Sequence, residues 1–257
     1  MADFVARLGS RASVPDEVRS AYGIEEYVSL LSGGAGPPVD LRRGRLAPDA
    51  LLAVLRAMAQ PPSAELNKAR LAAQAGIPAT TVAPYIDALV DLGLVRLVPG
   101  ARTTVAKRAV ARPRAVFDDP GLARQLAGES AFALTGLGAR VRLAPYLEGI
   151  VAAELLRQQS TSEVEFGVTH LRERNGLEVD LLLELPDDTV YGIEVRTAAG
   201  FRPHQFRNLE ALAVRAGSRF RGGIVLNTAS VGFKYRPGLW GLPISALWDW
   251  EAGSSLG

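Results

Sequence analysis

Residues 177–196 constrain this chain more than any other stretch. Leu177-Glu178-Val179-Asp180-Leu181-Leu182-Leu183-Glu184-Leu185 and Val190-Tyr191-Gly192-Ile193-Glu194-Val195-Arg196 are apolar-rich runs on either side of Pro186-Asp187-Asp188-Thr189. Two alternating runs about a Pro-Asp-Asp turn predict a β-hairpin. Alternation along a strand puts Val179, Leu181, Leu183 and Leu185 on one face and Glu178, Asp180 and Glu184 on the other. In the second run Ile193 and Val195 go to the core side, and Glu194 and Arg196 to the polar side. A turn centred between Asp187 and Asp188 pairs positions whose numbers sum to about 375, which sets Asp180 within a residue of Glu194. Two carboxylates and a cation then converge on one surface.

A length of 257 residues favours two domains over one, and 48% hydrophobic residues suffice to build their cores. The chain has no cysteine and only two histidines, His170 and His204, so disulfides, thiolate zinc sites and histidine-rich metal centres are excluded. A bound metal would have to rest on oxygen ligands, which selects magnesium or manganese. Asp3 and Arg7 interrupt any signal-peptide pattern, no apolar run reaches membrane-spanning length, and a cytoplasmic location is the default expectation. A formal charge of +2 does not argue for nucleic acid by itself. Only three of the 29 basic residues are lysines (Lys68, Lys107, Lys234), a skew ascribed first to a GC-rich genome.

Taken in order, residues 1–46 form an N-terminal helical or flexible segment. It is broken by Ser32-Gly33-Gly34-Ala35-Gly36-Pro37-Pro38, which no Gly-Lys-Ser/Thr follows, so it reads as a connection rather than a phosphate loop, and no ATP site is found. Residues 47–128 fit a winged helix-turn-helix domain. Leu51, Leu52, Val54, Leu55 and Met58 recur at helical spacing between Pro48 and Pro61-Pro62. A second helix carries Ala72 and ends at Gly76, and a third turns Val82, Ile86 and Leu89 inward. Residues 94–98 and 103–110, hinged at Pro99-Gly100, would form the wing. The outward positions of the third helix are Thr80, Thr81, Ala83, Pro84 and Asp87, none of which is a cation, and Pro84 threatens a bend.

Positive charge follows instead. Arg96, Arg102, Lys107, Arg108, Arg112 and Arg114 run without an intervening acid, and Arg102, Lys107, Arg108, Arg112 and Arg114 are the candidate DNA contacts. A solvated edge that discourages strand aggregation accounts for the same run equally well. A short helix through Leu122, Ala123 and Leu126 then leads by a Gly/Ala-rich connector to a domain at residues 129–257. That domain reads as a helix bearing Leu147, Glu148, Ile150, Val151 and Leu155, three strands ending in the hairpin, a helix at about 203–215, and a strand at 223–227.

Glu148 on the helix, Asp180 on one strand and Glu194-Val195-Arg196 on the next resemble the PD-(D/E)XK nuclease core. The expected fold is therefore a restriction-endonuclease-like αβββαβ unit. Over a longer span the chain resembles the C-terminal region of prokaryotic AAA-type ATPases in the DUF4143 family. The residues that carry this likeness are Thr81-Val82, Phe117-Asp118, Gly121-Leu122, Leu147-Glu148, Glu154-Leu155-Leu156, Gly176-Leu177-Glu178-Val179-Asp180, Ile193-Glu194-Val195-Arg196, Leu242-Pro243-Ile244 and Leu247-Trp248. The resemblance implies a magnesium- or manganese-dependent DNA endonuclease. Asp180 and Glu194 would be ligands, Glu148 would assist them, and Arg196 would stabilise charge.

Two departures qualify that expectation. The ATPase domain is absent from the sequence, and Arg196 replaces the usual lysine. Arginine keeps the charge but cannot shed a proton. The alternatives are thus a catalytically degenerate nucleic-acid-binding or regulatory module, and an interaction subunit for a separate AAA-type ATPase or for copies of itself, for which Trp240, Trp248 and Trp250 supply apolar surface. Glu194 and Arg196 also read as a simple surface ion pair, and Glu148 as an exposed helix acid. Glu178 and Glu184 read as solvent-face residues, Glu154 as a secondary candidate, and His204 and Lys234 as structural or solvated.

Overall fold

The computed structural model describes residues 46–101, 112–135, 138–173 and 176–248. The N-terminal segment, the wing strand expected at 103–110, Arg102, Lys107, Arg108 and Trp250 lie outside them. The chain divides into two compact units: one of residues up to Leu97 with Ala115–Ala139, and one of Val98–Arg114 with Arg140 onward.

The first unit is built on α1 (Pro48–Met58), α2 (Lys68–Ala75) and α3 (Val82–Asp91). Pro48 starts α1 where a missing amide hydrogen is harmless, and Asn67 caps α2 by accepting from the Arg70 amide. Gly76 ends α2 in the left-handed conformation, φ 68°, which glycine adopts without a Cβ penalty. Leu51, Val54, Leu55, Leu71, Val82, Ile86 and Leu89 are buried and form the core. Pro84 falls in the first turn of α3, after a 3-10 turn at Ala79–Thr81, where helix amides have no intrahelical acceptor. It therefore removes no helical hydrogen bond, contrary to the bend expected from sequence.

After α3 come β1 (Val95–Val98) and β2 (Arg114–Phe117), which pair in a two-stranded sheet. The described partner of β1 is thus β2, whose residues are all buried. Next are α4 (Pro120–Leu126), capped by the Asp119 carboxylate on the Gly121 amide, and α5 (Ala131–Thr135).

The second unit follows the expected order and then extends it: α6 (Arg140–Gln159), β3 (Gly167–Arg172), β4 (Glu178–Glu184), β5 (Val190–Val195), α7 (Arg207–Ala216) and β6 (Phe220–Asn227). Two more strands, β7 (Phe233–Arg236) and β8 (Leu239–Pro243), complete a mixed six-stranded sheet of order β3-β4-β5-β6-β8-β7. Strands β3, β4 and β5 are antiparallel, β5, β6 and β8 are parallel, and β7 closes the edge antiparallel to β8. The Pro237-Gly238 turn between two short alternating runs is the signal for the last hairpin, with Gly238 at φ 77°. Among the described residues no helix is long and apolar enough to cross a membrane.

Helix α7 lies on the sheet over Gly192 and Gly223, which are partners in the parallel β5–β6 ladder. A Cβ on Gly192 would stand 2.7 Å from a Leu209 methyl and 2.8 Å from one of Leu212, so the missing side chain sets how closely the helix approaches. Leu171, Val179, Leu182, Val190, Phe206, Leu209, Leu212 and Val225 pack together there.

Val179 and Leu182 belong to the same cluster, which strict alternation forbids. The cause is a bulge. Thr169 pairs Leu182 and Leu171 pairs Val179, so Asp180 and Leu181 together oppose His170. One extra residue re-phases the strand and re-aims its side chains. Leu182, on the side assigned to acids, is fully buried, as are Leu181 and Ile193 on the other. The hairpin is therefore covered on both faces rather than half-solvated, and both α6 and α7 pack against β5.

Candidate functional site

The hairpin register is Leu181↔Ile193, Leu182↔Gly192, Leu183↔Tyr191 and Glu184↔Val190, one less in sum than the sequence suggests. One step past Leu181↔Ile193, the two strands bring Asp180 beside Glu194. Asp180 Oδ2 accepts a hydrogen bond of 2.8 Å from the Val195 amide. Arg196 continues the parallel ladder through its own amide, which donates to the Leu226 carbonyl at 2.8 Å. This places the cluster at the carboxyl ends of β5 and β6, where open α/β sheets bind ligands.

The guanidinium of Arg196 joins the two acids. Its Nη1 donates to Asp180 Oδ2 at 3.1 Å and its Nη2 donates to Glu194 Oε2. Asn208, in the first turn of α7, donates from Nδ2 to Glu194 Oε1 at 3.3 Å. The Glu194 side chain is 1% exposed and that of Asp180 9%, whereas Arg196 keeps 31% of its surface in solvent. The expectation of a surface ion pair fails on the acid side: both carboxylates are buried, and the cation alone reaches water.

Arg114 supplies a second cation. Its Nη2 lies 2.7 Å from Glu178 Oε1 and its Nη1 3.7 Å from Glu148 Oε2. The side chain is only 9% exposed. It is therefore committed to two glutamates and is not part of an open basic track, which corrects its assignment as a DNA contact. Of the five candidate contacts Arg112 is the one described as exposed; its carbonyl lies 2.9 Å from His170 Nε2.

The cluster sets four carboxylates, Glu148, Glu178, Asp180 and Glu194, against two guanidiniums. Glu148 shows most plainly what burial does to an acid there. Burial, then repulsion from Asp180, push its carboxyl up to about 7, against the pull of Arg114 and Arg196. Asp180 is also raised, first by burial, and is held down by Arg196 and by the Val195 amide.

Other candidates fall elsewhere. Glu154 is buried and paired with Arg157 and Gln158. Glu184 accepts from the Thr169 hydroxyl at 2.8 Å, and Lys234 sits 5.1 Å from the centre of the Trp240 ring. Glu178, expected at the solvent face, keeps 40% of its side chain exposed while it pairs with Arg114. Asn208 was not legible as a site residue, since only folding places the start of α7 beside Glu194.

A divalent metal held by Asp180, Glu194 and Glu148 does not fit this arrangement. Among the described residues no group of three or more metal-ligating side chains is placed to hold an ion. The reason lies in Arg196, whose two nitrogens face the carboxylate oxygens that a metal would need.

A family model described as a domain of unknown function (DUF8612) matches residues 40–133. Another, described as a domain of unknown function (DUF4143), matches residues 144–247. No curated protein and no solved structure matches the chain. Glu148, Glu178, Asp180, Glu194, Arg196 and Asn208 all fall within the second match, so the acidic cluster lies in the segment that is similar to the DUF4143 family.

Proposed function

We propose that this is a DNA-binding protein with a nuclease-like core whose hydrolytic site is held shut. The observation that carries the reading is the direct bonding of Arg196 to both Asp180 and Glu194. The order α6-β3-β4-β5-α7-β6, with Glu148 on the helix and the other three residues at one end of the hairpin, supports a PD-(D/E)XK-like core. The succession α1-α2-α3-β1-β2 supports a winged helix. Because Thr80, Thr81, Pro84 and Asp87 offer no cation on the exposed side of α3, phosphate contact falls to Arg102, Lys107, Arg108 and Arg112.

Fluorescence anisotropy with a labelled duplex at several salt concentrations, beside incubation of supercoiled DNA in magnesium or manganese, tests both halves. The expected result is salt-dependent binding without cleavage. Changing the four basic residues to glutamine should lower the log–log salt slope by about 3.6; an unchanged slope would remove the basic segment from the interface. Cleavage by the wild type that disappears in Asp180→Ala/Glu194→Ala would replace this reading with a magnesium-dependent endonuclease.

A further inference from the structure

We propose that Arg196 is a built-in cation that closes a latent divalent-metal site between Asp180 and Glu194. The inference deepens the nuclease-like reading of this cluster and rests on it. The two carboxylates are buried and adjacent, and one guanidinium spans them, donating a separate nitrogen to each. A guanidinium can do this because its planar fork matches two acceptors at once while remaining charged at any accessible pH.

The acids do not depend on Arg196 for their positions. Asp180 is tied to the Val195 amide at 2.8 Å and Glu194 to Asn208 at 3.3 Å. Both lie at the end of paired strands that fix their backbones. Taking the guanidinium away would thus leave two held carboxylates without the cation that bonds them both, in a place shielded from bulk water, and buried acids in that condition favour a replacement cation. Glu148 and Glu178 already share Arg114, which pairs with both. A hard ion bound by oxygen ligands and completed by water meets the demand, and Arg196 leaves the gap on the side that already faces solvent. Arginine at this position is then the means by which the core excludes metal.

The test is calorimetric titration of Mn²⁺, without nucleic acid, into the wild type, Arg196→Ala, Arg196→Met and Arg196→Ala/Asp180→Asn, with loss of the free Mn²⁺ paramagnetic signal as a second readout. The wild type should show no saturable site into the millimolar range. Each single variant should gain one site per chain at least tenfold tighter, and the double variant should lose it. Methionine keeps the bulk of the arginine stem should alanine loosen the fold. A variant unfolded alone should be refolded by Mn²⁺, since a ligand of the native state stabilises it. Equal Mn²⁺ affinity in the wild type and the single variants would overturn the proposal. So would single variants that neither bind Mn²⁺ nor refold in it. Loss of DNA binding alone would leave it standing, because no nucleic acid enters the measurement.

Discussion

The carboxylate of Asp180 accepts the backbone amide of Val195 across the hairpin at 2.8 Å, beyond the last paired residues of β4 and β5. A side chain thus takes over where the strand pairing stops. Asp180→Ala leaves a buried amide without an acceptor and Arg196 with one partner fewer, and should cost about 2 to 3 kcal/mol. Asp180→Asn keeps an acceptor for the amide, and since burial already favours the uncharged acid, it should cost under about 1 kcal/mol. Urea denaturation of the two variants beside the wild type measures the difference, and equal losses would show that the charge rather than the amide contact matters.

Glu148 makes stability fall with rising pH. Its carboxyl ordinarily titrates near 4.5 and is raised to about 7 in the fold, so the folded state holds the proton more tightly than the unfolded one. That contribution is complete below the unfolded value and is lost as pH climbs through about 7. The wild type should lose up to about 2 to 3 kcal/mol between pH 5 and 8 from this group, and Glu148→Gln should flatten the profile. Denaturation midpoints at several pH values decide it; an unchanged slope in the variant would assign the dependence to another group.

Arg114 braces the same glutamate from the other side. Arg114→Met preserves apolar bulk but leaves Glu148 and Glu178 without their cation. Because Glu178 is 40% exposed and can be hydrated, the expected loss is about 2 kcal/mol rather than that of a fully buried pair. Removing a charge that lowers the Glu148 value should also move the pH transition upward. Titration of the Glu148 carboxyl by NMR in the variant checks the direction.

Gly192→Ala places a methyl group within 2.8 Å of Leu209 and Leu212, which must shift in a packed core. A loss of about 1 to 3 kcal/mol is expected. Gly200→Ala meets nothing within 4 Å and serves as the control, with a change under about 0.5 kcal/mol. Thermal melts of the two proteins separate close approach from a general cost of replacing glycine.

By itself the sequence determined the helices, the hairpin and their order, because apolar spacing, the Asn67 cap, the Gly76 stop and the turn at 186–189 act over a few residues. It also brought Asp180 and Glu194 to one end of the hairpin, since turn position sets register. Only the tertiary structure decided what those acids do. The bulge opposite His170 breaks the alternation on which the assignment of faces rests, and a bulge leaves no periodic trace. Arg114 lies 64 residues from Glu178 in the chain, and its ion pairs turn an apparent member of a basic run into a buried brace. Asn208 reaches Glu194 only because two glycines let α7 settle onto the sheet. Local spacing fixes which elements form, whereas charge compensation in a buried cluster depends on groups that the chain brings together from far apart.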